Sequence, residues 1–116
     1  MASREAVLDL LETALGVARA GGWAPRGETG PRENPAAPHD IAGALDCAAW
    51  ATDASGRDVA AAVEILCAVM IAYFPERAGP AGMVLSAFYD DARTTGADCE
   101  QMLRSASRHL RLGAAQ

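Results

Sequence analysis

The chain is 116 residues long with a formal net charge of −5, and all ten of its basic residues are arginine. That length builds one hydrophobic core and not two. An acidic chain without a basic cluster argues against nucleic acid or an anionic membrane as partner, because neither phosphate neutralisation nor surface attraction is on offer. About half the residues are hydrophobic, but alanine supplies many of them and aromatics make up only 5%. Such a core relies on close approach of helices more than on large side chains.

The first helix is expected from about Arg4 to Ala20, with Ser3 as N-cap and Glu5, Asp9 and Glu12 near its positive end. Val7, Leu8, Leu11, Ala14, Leu15 and Ala18 recur at helical spacing and predict one apolar stripe. Gly21-Gly22 stops the helix, and Trp23 follows as a hydrophobic plug over its end or as part of a ligand pocket. Gly21 to Pro38 then holds four Gly and four Pro in eighteen residues, which reads as a long loop, either a mobile linker or a lid.

A second helix begins after Pro38, capped by Asp40, with Ile41, Ala44, Leu45, Ala48 and Ala49 on its apolar side and Trp50 near its end. Thr52 to Arg57 is a turn, and Ser55, Gly56 and Asp58 start the next helix. Val59 to Phe74, VAAAVEILCAVMIAYF, is the most apolar stretch, with Glu64 its single charge and Pro75 closing it. A membrane span needs about 20 apolar residues, so this reads as the central helix of a soluble bundle. At 100° per residue, Val59, Val63, Leu66, Met70, Tyr73 and Phe74 form a bulky face and Ala61, Ala68 and Ala72 a small one, with Glu64 at its edge. A fourth helix follows Pro80, with Met83, Val84 and Phe88 inward, and ends around Tyr89 to Ala92. A Thr95-to-Asp98 cap opens a fifth, Gly96 to Leu112, with Cys99, Met102, Leu103, Ala106 and Leu110 inward. Arg104, Arg108 and Arg111 complement its terminal carbonyls. The fold class is therefore all-α: residues 1–116 as one compact, irregular bundle of about five helices around the helix that carries Glu64.

Cys47, Cys67 and Cys99 are odd in number, widely spaced and set among apolar positions, so they read as small core residues. No metal-ligand spacing and no cofactor fingerprint is present. The N-terminus lacks a basic segment followed by an apolar one, and the expected compartment is the cytoplasm.

Chemistry-bearing candidates remain few. Glu64, if buried, would be an acid/base carboxylate; on an open helix face it simply meets water. His39 beside Asp40 offers an acid/base pair, although Asp40 already serves as a cap. Asp90-Asp91 next to Tyr89 could hold a cation or a basic partner, or could be turn chemistry, and one acidic pair is far from a calcium loop. No nucleophile is placed beside either histidine. Two readings follow. One is a small binding or accessory module working through protein contacts or self-association. The other is a small enzyme or small-molecule pocket using Glu64, His39, Asp90 and Asp91, lined by Trp23, Trp50 and Tyr89.

Trp23, then Gly43-Ala44-Leu45, then Tyr89-Asp90-Asp91, then Thr95 to Asp98 stand in an order that resembles an uncharacterised family of small helical domains from high-GC bacteria. Its members carry a Trp after the first helix, a Gly-Ala-Leu opening the second, a Trp-Asn-Asp element and a Thr-x-x-Asp cap. The chain departs from them in having Asp40 where a cysteine often precedes Gly-Ala-Leu, and Tyr89-Asp90 in place of Trp-Asn. The resemblance implies a helical fold and no particular role.

Overall fold

The computed structural model describes residues 3–22, 30–31, 33–34, 36–39, 41–73 and 96–114. Among them are four helices: α1 (Arg4–Gly21), α2 (Ile41–Thr52), α3 (Gly56–Tyr73) and α4 (Gly96–Ala114). The helix expected after Pro80 lies outside the described residues, as do Trp23, Asp40, Tyr89, Asp90 and Asp91. The all-α reading holds, with no strand among the described residues.

Local chemistry sets the starts of α1 and α3. Ser3 is extended and its Oγ accepts from the Ala6 N–H, so α1 opens on a satisfied donor. Ser55 plays the same part for α3, its Oγ accepting from the Asp58 N–H. The two helix starts are tied together by the Ser3 N–H donating to Asp58 Oδ1 at 3.2 Å.

Among the described helices, α1 rather than α3 is the one that packs against all the others. α1 packs against α2, α3 and α4, whereas α3 packs against α1 and α4. Val7, Leu10, Leu11, Ala14, Val17 and Ala18 are the buried residues of α1. Its stripe is rotated from the expected one: Leu10 and Val17 enter the core, and Leu8 and Leu15 fall to its half-buried edges. The reason is packing on several sides, which widens the buried arc beyond a single two-helix seam. From α3 the core takes Ala62, Leu66, Cys67, Val69 and Met70. Val59, Val63, Ile65 and Ile71 are only partly covered, and Tyr73 is exposed despite its place on the expected bulky face. α4 buries Cys99, Met102, Leu103 and Ala106 at the spacing read from the sequence.

Two helix ends show why the chain turns where it does. Gly22 caps α1 with φ +80°, a left-handed conformation that suits glycine, and its N–H returns to the Ala18 carbonyl at 3.1 Å. α2 ends in a Schellman pattern: the Ala54 N–H reaches the Ala49 carbonyl and the Asp53 N–H reaches that of Trp50. Asp53 therefore sits at φ +53° without being glycine. No described helix is long and apolar enough to cross a membrane.

Candidate functional site

The end of the Gly/Pro-rich stretch is pinned rather than loose. The Gly30 N–H donates to the Pro38 carbonyl at 2.9 Å, and the His39 N–H to the Gly22 carbonyl at 3.4 Å. Asn34 folds the segment on itself, its Oδ1 accepting from the Ala36 N–H and its carbonyl from the Ala37 N–H. His39 is 1% exposed, and its Nε2 donates to the Asn34 carbonyl at 2.9 Å. A carbonyl only accepts, so the proton on that bond belongs to the ring. The imidazole thus clasps the segment against the end of α1. Gly21 completes the fit, because a Cβ there would collide with the Ala37 carbonyl.

Glu64 lies on the opposite kind of surface. With Ala60, Ala68 and Ala72 it forms the exposed side of α3. Burial was the condition for its acid/base role, and it is not met. Trp50 is 50% exposed at the end of α2. Neither Glu64 nor Trp50 lines the cavity between α1 and α4, the one between α3 and α4, or the one beside Cys99 and Glu100. His39 lines the last of them, beside Cys99, Arg19 and Glu100. Cys47, Cys67 and Cys99 are all buried and none is in a disulfide, and burial, followed by the charges of Asp46 and Glu33, pushes the Cys47 thiol up. Such a thiol is a poor nucleophile at neutral pH. Among the described residues no group of three or more His, Cys, Asp or Glu is placed to hold a metal ion.

What the fold does bring together is arginine. A cavity of about 430 Å³ between α1 and α4 is lined by Arg19, Arg104, Arg108 and Arg111, with Glu12 at its rim. The floor is Leu15, Gly16 and Ser107. Ser107 is buried and spends its hydroxyl on the Leu103 carbonyl at 3.0 Å, so it adds little free polarity. Ion pairs close both ends of the groove: Arg111 with Glu12 at one end, and Arg19 and Arg104 with Glu100 at the other. Those pairs join residues 12 and 19 of α1 to residues 111 and 100 of α4, so the two helices run antiparallel. Arg108, between the two closures, has no ion-pair partner among the described residues.

On the other flank of α4 a second cavity, of about 310 Å³, lies against α3. Tyr73 and Leu112 line it, 54% and 56% exposed, together with His109 and the same Arg104 and Arg108. The Tyr73 hydroxyl meets Ser105 Oγ at 3.4 Å, and Gln101 Nε2 donates to that Oγ at 2.9 Å, which steadies the ring against α4. The outward side of α4 is thus a guanidinium ridge with an apolar edge.

A model of DUF6197, a family of unknown function, matches residues 2–109. The chain belongs to that family. No curated protein and no solved structure matches it. Membership of DUF6197 fits an uncharacterised family of small helical domains and leaves the role of the chain to its own surface.

The arginine ridge is the feature that sequence reasoning missed. Arg104, Arg108 and Arg111 follow one another at i, i+4 and i+7, which places them on one side of a helix. That spacing is legible in the sequence, where it equally suits compensation of the helix dipole. The contribution of Arg19 from α1 depends on a tertiary contact that no local pattern announces.

Proposed function

We propose that this DUF6197 chain is a small cytoplasmic binding or accessory module that acts through protein–protein contacts, with the outward side of α4 as its docking face. The observation that carries the reading is the pair of half-exposed large side chains, Tyr73 and Leu112, bordering a cavity shared with Arg104 and Arg108. Tyrosine and arginine are the residue types that dominate interface energetics, because each offers a broad contact surface with a polar end. Three buried cysteines outside any disulfide support a reducing compartment. Arginine as the only basic residue supports a high-GC bacterial source.

The test is affinity purification of the full chain from its host, compared with the Tyr73→Ser/Leu112→Ser variant. A partner that accompanies the wild type in fixed ratio, rebinds as purified protein and is lost with the variant is the expected result. Identical companions for both forms, or none for either, would remove this docking face. Sedimentation equilibrium of the purified chain reads self-association separately, with the exposed Ala60, Ala68 and Ala72 side of α3 as the competing surface.

A further inference from the structure

We infer that the groove between α1 and α4 receives an acidic helical segment of a partner protein, held by Arg108 and Arg104. This rests on the reading of α4 as a docking face and adds the chemistry of what docks.

Charge sets the sign of the ligand. The chain is acidic as a whole, yet this one groove is lined by four of its ten arginines. Glu12 and Glu100 offset only part of that charge, and Arg108 is left unpaired among the described residues. A guanidinium presents a planar fork of donors that matches a carboxylate in two parallel bonds. The two closures hold neighbouring guanidinium groups on either side of Arg108, so a carboxylate placed there meets several of them at once. The flanking ion pairs are themselves half-exposed, with side-chain accessibilities of 51–61% on the arginines, so an incoming carboxylate can re-pair Arg104 or Arg111 at little cost.

Shape favours a helix. Arg104 and Arg108 are one turn apart, about 6 Å along the axis, and the lining from Arg104 to Arg111 extends about 10 Å at 1.5 Å per residue. Carboxylates at i and i+4 on a facing helix repeat that spacing. The floor has room for a side chain between them, since a Cβ added at Gly16 would meet nothing within 4 Å. The occupant is therefore an amphipathic acidic helix whose apolar residue rests on Leu15 and Gly16 while its carboxylates face Arg104 and Arg108, a helix-in-groove arrangement.

The experiment uses the full chain and a fluorescein-labelled helical peptide with Glu at i and i+4 and Leu between them on the same side, followed by anisotropy. Its Gln counterpart is the control. The Glu peptide should bind, should weaken as salt is raised, and should lose about tenfold in affinity with Arg108→Gln, the scale of one charge-assisted bond. Arg57→Gln, which changes an exposed arginine on α3, should leave binding alone. Equal binding of the Gln peptide, or no binding of the Glu peptide at millimolar concentration, overturns the inference. So does equal binding of a single-stranded oligonucleotide. A dimer of the chain that dissociates on Arg108→Glu would show the occupant to be a second copy and would also overturn it. A natural partner that depends on Tyr73 and Leu112 but not on Arg108 would sink this inference while leaving the docking face in place.

Discussion

α1 and α3 are both 18 residues long, and α3 is by far the more apolar, yet among the described helices α1 is the one that packs against all the others. The difference lies in how the apolar side chains are arranged. In α1 they are concentrated in one arc, where Leu10, Leu11 and Ala14 reach complete burial. In α3 they are spread round the helix, so Val59, Val63, Ile65 and Ile71 stay partly covered while Ala60, Ala68 and Ala72 face out. Total hydrophobicity says that a helix will be buried somewhere. Only the concentration of bulky residues says which helix the others pack against.

The largest expected effect breaks this comparison directly. Leu10→Ala should cost about 2–5 kcal/mol, because it removes a fully buried side chain from the helix that contacts the other three. Ile65→Ala in α3 should cost less, about 1–2 kcal/mol, since its side chain is only partly withdrawn from water. Urea denaturation of the two variants checks the order. An equal loss would mean that α3 is as central as its composition suggests. Gly21→Ala comes next, at about 1–3 kcal/mol, the usual cost of forcing an added methyl against fixed atoms. Here the obstacle is the Ala37 backbone, so the expected response is release of the 36–39 clasp, read as loss of amide protection at His39.

The parts of this fold that the sequence displayed are those governed by neighbours within a few residues. Ser3 and Ser55 announced the starts of α1 and α3, and Gly21-Gly22 the end of α1, because capping is local. Of the inward set of α4, Cys99, Met102, Leu103 and Ala106 followed from spacing, whereas Leu110 is only partly buried and the buried Ser107 was not foreseen. What stayed hidden depends on contacts across the chain. The arc of α1 turned toward Leu10 and Val17 because several helices pack on it at once. His39 looked like half of an acid/base pair, but its ring proton goes to the Asn34 carbonyl. Glu64 is the single charge within Val59 to Phe74, and the exposed side of α3 is enough to account for it. The arginine groove needed Arg19 from α1 to meet α4, and no window of sequence contains both.

The smallest effect sharpens the contrast from the other direction. α1 is placed by its core, whereas α3 is placed partly by residues 53–55, the only ones between it and α2. Asp53 holds the left-handed position of that turn at φ +53°, where a side chain costs roughly 1–2 kcal/mol and Asp somewhat less than most. Glycine avoids the penalty but brings extra freedom to the unfolded chain, so Asp53→Gly should stabilise by about 0.5 kcal/mol net. Asp53→Ala keeps a side chain in the left-handed position, which Ala tolerates less well than Asp, and should destabilise by about 1 kcal/mol. The gap between the two variants in a denaturant midpoint measures how firmly the turn fixes α3. If glycine destabilises as well, the Asp53 carboxylate contributes to the turn beyond its backbone, and α3 is held by that side chain in addition to its Ser55 cap.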